Sequence, residues 1–158
     1  MLLRNLLVLT SLTLAACGFT PVHKQSNASD LASVKVNTPR GLNEQFFNNH
    51  ITDLLNPAAV NTPDKYTLDV VLNITQTPLA IQQDRTVTRY KTNVTATYTI
   101  TEKESGTILD SGKIQREGGY DKVDSDYATY VSEEDTKRRV IKELAEDLKL
   151  RTMSVIIR

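Results

Sequence analysis

The stretch YTLDVVLNIT, residues 66–75, decides the fold. Tyr66, Leu68, Val70, Leu72 and Ile74 alternate with Thr67, Asp69, Asn73 and Thr75, and Val71 alone breaks the pattern. Successive side chains of a strand point to opposite faces, so this segment reads as a strand with one buried and one wet face. On its N-terminal side, Leu42, Phe46, Phe47, Ile51, Leu54 and Leu55 recur at steps of three and four opposite Glu44, Asn48 and Asp53, the pattern of an amphipathic helix that Pro57 closes. Residues 31–37, with Val34 and Val36, read as a short first strand that Pro39 stops.

On the C-terminal side, after Pro78, residues 85–101 read as a long strand. Tyr90, Val94, Ala96, Tyr98 and Ile100 lie on one side, and Arg89, Lys91, Asn93, Thr95 and Thr97 on the other. The polar connection EKESG, residues 102–106, joins it to strand-like residues 107–120 as a hairpin whose end is marked by Gly118 and Gly119. Ser132 followed by Glu133, Glu134 and Asp135 predicts the start of a last helix, the serine capping free amides and the carboxylates meeting the positive end of the helix dipole. Its stripe is Val140, Ile141, Leu144, Ala145 and Leu148. The pairs Glu134–Arg138, Asp135–Arg139 and Asp147–Arg151 are spaced to meet on its outside, and residues 155–157 add a short contact.

The order strand, helix, strand, strand, strand, helix predicts an α+β fold: a four-stranded mixed sheet with two helices packed on one face and the other face open. The first pair of strands is parallel and the following meander antiparallel.

Residues 1–16 have the parts of an export signal: positive charge at Arg4, an apolar run over residues 6–14, and small Ala15 and Ala16. That run is shorter than the ~20 residues a spanning helix needs. Leu14-Ala15-Ala16-Cys17 resembles the cleavage signal of bacterial lipoproteins, in which the cysteine receives a diacylglyceryl group and its freed amine a further acyl chain. Anchoring by two or three acyl chains holds a protein on a membrane without a spanning helix. The predicted organisation is a cleaved signal at residues 1–16, a lipidated tether at 17–30 (polar, with Pro21 and no periodicity), and a single α+β domain at 31–158. Cys17 is the only cysteine, so the fold rests on its core and not on disulfides.

Nineteen basic residues, one of them Arg4 in the signal, face nineteen acidic ones, a balance that argues against nucleic acid as a partner and confines any anion site to a local patch. His23 and His50 are the only histidines, so zinc and cysteine–histidine sites lack ligands and no metal is expected. Asp124, Asp126 and Asp135 match three positions of a calcium loop, but Ala128 and Thr129 stand where an oxygen ligand and a glycine are required. Glu133 and Glu134 are explained by their place at a helix start, and no phosphate loop, serine elbow or dinucleotide fingerprint occurs, so neither catalysis nor a cofactor is expected. Asn27, Asn73 and Asn93 fit a glycosylation pattern that has no use behind a bacterial lipobox. One constellation remains. Arg85, Arg89 and Lys91 share a face near the start of a strand, where they read either as a row that meets phosphates or as a solvated, edge-protecting face.

The opening residues 14–21, LAACGFTP, the strand Tyr66-Thr67-Leu68 and the stretch at 84–98 resemble the LptE family. Gly112, Ser125-Asp126-Tyr127-Ala128 and the acidic run at 132–135 extend that resemblance over nearly the whole mature chain. It implies two helices on a four-stranded sheet. It also implies an outer-membrane lipoprotein, facing the periplasm, that plugs the LptD β-barrel and assists lipopolysaccharide assembly at the outer leaflet. Gly18 after the anchor fits an outer-membrane address, and the basic position before the long strand falls on or near Arg85, with Arg89 and Lys91 beside it. A second basic position of the family, near the last helix, is replaced here by the acidic run at 132–135, a departure that bears on direct lipopolysaccharide contact more than on plugging. Two other classes fit a small lipid-anchored α+β domain: an accessory lipoprotein of an envelope lipid transporter, and an activator of a cell-wall synthase.

Overall fold

A computed structural model of the chain describes residues 25–81 and 87–157. The elements are α1 (Gln25–Ala32), β1 (Val34–Asn37), α2 (Leu42–Leu55), β2 (Tyr66–Ile81), β3 (Val87–Glu102), β4 (Ile108–Asp121) and α3 (Asp126–Ile156). The strands form one sheet in the order β1-β2-β3-β4, β1 parallel to β2 and the remainder antiparallel. The mixed sheet and its strand order are those the residue periodicities predict.

The alternation in β2 sorts its residues as expected. Leu68, Val70 and Leu72 are buried beside Ile100, Tyr98 and Ala96 of β3, and the same face carries Val94. Above them Phe47, Ile51 and Leu55 of α2 and Val140, Ile141, Leu144, Ala145 and Leu148 of α3 complete one core, with Val155 and Ile157 packed at its margin. Both long helices therefore cover one face. The other face presents Thr67, Asp69, Val71, Asn73 and Thr75 of β2 and, on β3, Lys91, Asn93, Thr95 and Thr97.

Several local expectations differ. The last part of the expected tether is helical: α1 takes in residues 25–32, and Leu31, expected in the first strand, reaches the core from that helix, so β1 begins only at Val34. A helix with a single core residue has no periodicity to read. β2 continues through Pro78 to Ile81. Beyond Asn37, β1 no longer lines its outer side, so the missing proline N–H removes no ladder bond there, and the register slips between Pro78 and Ala80. Leu42, placed on the greasy face of α2, is 88% exposed at the first position of that helix.

The last helix begins at Asp126 and not at Ser132. Ser125 is the cap, its Oγ accepting from the Ala128 N–H at 3.3 Å. Ser132 to Asp135 thus lie inside α3, and the three expected pairs on its outside do not form among the described residues. Strand charges and nearer helix neighbours compete for the same groups. Lys137 takes Glu133 and Glu134 at 3.1 and 2.5 Å, and Arg139 lies 3.8 Å from Glu143. Asp147 accepts from Arg116 of β4, and Arg151 donates to Asp110 of β4.

Candidate functional site

β2 and β3, with sixteen residues each, run roughly 50 Å from one end of the sheet to the other at ~3.3 Å per residue. The two ends differ in chemistry. At the end where α1 enters β1, Lys65 bonds Asp30 at 2.9 Å and Lys103 lies 3.5 Å from Asp64. The hydrogen bond and charge of Asp30 hold the Lys65 ammonium above its usual range. At the far end the last residues of β2, the first of β3, the end of β4 and the start of α3 come together.

Of the anticipated site residues, Cys17 and Arg85 lie outside the described residues. Arg89 and Lys91 stand on the open face of β3 at that far end, as their odd spacing requires. Each meets a β4 carboxylate: Arg89 Nε lies 3.7 Å from the directly opposite Asp121 Oδ1, and Lys91, opposite Gly119, reaches diagonally to Glu117, Nζ to Oε2 3.0 Å. The Arg89 guanidinium lies over Gly119, where a Cβ would stand in ordinary contact, 3.4 Å from Nε. Arg89 and Lys91 are therefore ion-paired rather than bare cations.

Behind it, on the helix side, Tyr90 and Tyr120 stack with ring centroids 5.5 Å apart. The Tyr120 hydroxyl lies 3.4 Å from both Gln76 Oε1 and Glu133 Oε2. Burial pushes the Tyr120 phenol up, with the Glu133 charge adding to it. Burial works to raise Glu133 too, but hydrogen bonds from Gln76 and Lys137 prevail and keep its carboxyl below the usual range. The acidic run that resembles a helix start thus does a different task, tying α3 to the strand ends.

Sequence reasoning missed one feature of this end. Tyr127 and Tyr130 precede Ile141 by fourteen and eleven residues, so they continue the core-facing stripe of α3, yet they are 78% and 59% exposed because the strands beneath have ended. Val123 and Val131 are exposed beside them in sequence, and Thr129 holds the loop rigid, its hydroxyl accepting from the Val123 N–H and donating to the Val123 carbonyl at 3.1 Å. The signal was available in the stripe itself, read back past Ser132.

No described helix is long and apolar enough to cross a membrane. Among the described residues no group of three or more His, Cys, Asp or Glu is placed to hold a metal. What this end offers is surface: an ion-paired row, a neutral hydroxyl- and amide-rich sheet face, and a rigid aromatic overhang.

Comparison with known proteins gives one family match: the profile of the LptE lipopolysaccharide-assembly family covers residues 31–152, from the end of α1 into the last turns of α3. An uncharacterized protein of Rickettsia prowazekii is 27% identical over 154 residues, 96% of either chain. Solved structures share the fold, three lipoproteins among them. A candidate lipoprotein of Caulobacter crescentus has a TM-score of 0.64 at 19% identity, covering 82% of this chain and 93% of that one. Rare lipoprotein B of Shewanella oneidensis scores 0.58 at 12% identity, with 77% and 92% covered. A minor lipoprotein of Acinetobacter baumannii scores 0.59 at 17% identity, with 77% and 90% covered.

Proposed function

The chain belongs to the LptE lipopolysaccharide-assembly family, and from this premise we propose that it is a non-catalytic lipoprotein, held by acyl chains on Cys17 at the periplasmic face of the outer membrane, that plugs an LptD-type β-barrel and assists it in delivering lipopolysaccharide to the outer leaflet. The observation that carries this reading is the extent of the family match, which takes in the whole sheet and both covering helices. The surface chemistry supports it. The centre of the open face, Asn73, Thr75, Asn93, Thr95 and Thr97, is neutral and rich in hydroxyl and amide groups, which suits contact with the polar, hydrated lumen of a large barrel. Arg85, Arg89 and Lys91 are the proposed contacts for the phosphates of the glycolipid, with Arg89 and Lys91 exchanging Asp121 and Glu117 for them.

The test is gentle detergent extraction of envelopes carrying a C-terminally tagged copy, followed by affinity purification and mass spectrometry. A large outer-membrane β-barrel in a one-to-one ratio is the expected result. A lipid-transporter complex or a cell-wall synthase in its place, with no barrel, overturns the plug reading and selects the corresponding alternative class.

A further inference from the structure

β3 pairs with β2 along its whole inner side, from Tyr66↔Glu102 to Ile81↔Val87. On the outer side, β1 covers only four positions, Val34↔Tyr66 to Asn37↔Asp69. From Val70 to Ile81 the outer backbone of β2 has no strand partner among the described residues, and this stretch, VVLNITQTPLAI, contains no charge. The opposite edge of the sheet is protected in the usual way, with Lys113, Arg116 and Glu117 and glycines at 112, 118 and 119. An open edge of high strand propensity without charge is a template for another strand, and it persists in a natural protein where a partner covers it.

Its surroundings restrict the occupant. The wall of a closed barrel has no free edge to offer. A second copy does not fit. If Val70 to Thr77 pairs with itself in antiparallel fashion, residues 78–81 of one strand fall opposite 66–69 of the other, where that copy's own β1 sits, and a parallel twin sets the two β1 strands against each other. The guest is therefore a segment that can end where β1 begins to cover β2. At that point the loop leaving β1 opens a groove of about 310 Å³ lined by Arg40 and the carboxamides of Gln45, Asn48 and Asn49. Arg40 has no carboxylate within ion-pair distance among the described residues, and the Asn48 Nδ2 already donates to the Val36 carbonyl at 3.3 Å on this edge. A strand antiparallel to β2 that starts beside Thr77 finishes beside Val70, next to this groove.

We infer that the outer edge of β2 from Val70 to Thr77 binds the uncharged, extended C-terminal tail of a partner polypeptide, added antiparallel as a fifth strand with its terminal carboxylate received by Arg40 and the neighbouring amides. Specificity follows from the alternation of the edge. Apolar side chains of the tail lie beside Val70, Leu72 and Ile74 under the helices, and neutral polar ones beside Asn73 and Thr75. Pro78 and the register slip after it limit the pairing to about eight residues. The inference does not depend on the plug reading.

The probe is an N-acetylated eight-residue peptide of alternating threonine and valine, prepared with a free C-terminal carboxylate and as the amide, added to the full acylated chain in nanodiscs. Fluorescence anisotropy of the labelled peptide should show the amide binding about tenfold more weakly, the loss of one charge-assisted hydrogen bond. Arg40→Gln should abolish that difference, and hydrogen exchange should slow at alternate amides between Val70 and Thr77 and nowhere on β4. Equal affinity for the two peptides, preference unchanged in Arg40→Gln, or protection on the open face without protection of the edge would each overturn it. A loss of barrel co-purification with these peptide results intact would strike the function proposed above and leave this site standing.

Discussion

Gly118 of β4 lies directly beneath Val140 of α3: a Cβ built on it would stand 2.7 Å from Val140 Cγ2 and 3.0 Å from Thr136 Cγ2. The helix rests on bare backbone here, so Gly118→Ala forces either the helix or the strand to move. Overpacking of this kind costs about 1–3 kcal/mol. The expected outcome is a lower urea midpoint with unchanged slope. Gly112→Ala provides the comparison, since its Cβ would meet the Tyr98 hydroxyl at 3.1 Å, and the end of a side chain yields more readily than a packed helix. A Gly118→Ala protein as stable as the parent would show that α3 is not seated on β4 as described.

The second prediction concerns acid. Arg151 Nε and Nη2 donate to the two Asp110 carboxylate oxygens at 2.8 and 3.2 Å, and the Tyr98 hydroxyl donates to the same carboxylate at 2.9 Å. The Arg151 hydrogen bonds hold Asp110 below its ordinary value of 3.8, against an opposing effect of burial. A carboxyl whose folded value is depressed contributes stability that is complete above the unfolded value and fades as pH falls through the folded one. Asp110→Asn should therefore lower stability at neutral pH and flatten the loss that the parent shows as pH falls below about 5. Urea midpoints at half-unit pH intervals measure this, and parallel curves for parent and variant would remove the pair from acid stability.

Both relationships bear on what could be read in advance. Burial of alternate residues in β2 and β3 follows from side-chain alternation, and the helix over Leu42–Leu55 from its three- and four-residue steps, because each is a local periodicity. α1 was hidden because QSNASDLA offers only Leu31 to the core. The true cap, Ser125, is legible only through Tyr127 and Tyr130, which carry the stripe back past Ser132, while Ser132 stands before an acidic run that equally suits a helix start. That Arg89 and Lys91 share a face was legible in their numbers. Their partners Asp121 and Glu117 were not, since they depend on the β3–β4 register, which rests on a loop and an irregularity between Ile100 and Thr101.

The pairing gives the basic row a test with a definite sign. If Arg89 and Lys91 receive glycolipid phosphates, then Glu117 and Asp121 compete for the same cations, and Glu117→Gln with Asp121→Asn should raise lipopolysaccharide affinity and its salt dependence, while replacing Arg85, Arg89 and Lys91 by alanine should lower both. All four charges of the two pairs are substantially exposed, so folding stability should change little in either variant. Binding to immobilised lipopolysaccharide across a salt series provides the readout. Affinity unchanged by removing the carboxylates would assign the row to protection of the strand face alone.

The overhang of α3 separates folding from partner contact most cleanly. Tyr127 and Tyr130 lie on the helix's core stripe but past the end of the sheet, so they stay mostly exposed. Tyr127→Ser with Tyr130→Ser should leave the unfolding midpoint within about 0.5 kcal/mol of the parent, as surface substitutions generally do. Aromatic side chains held rigidly on a helix are, in contrast, efficient anchors in an interface, because they bring large contact area at little entropic cost. If the plug reading holds, the double variant should therefore keep its fold yet recover several-fold less of the proposed barrel partner in the detergent pull-down, and Val123→Ser beside them should add to the loss. Full recovery of the barrel with the unstable protein fraction unchanged would place the contact elsewhere, on the neutral open face around Asn73 and Thr95, which the same pull-down can then probe by charge substitution.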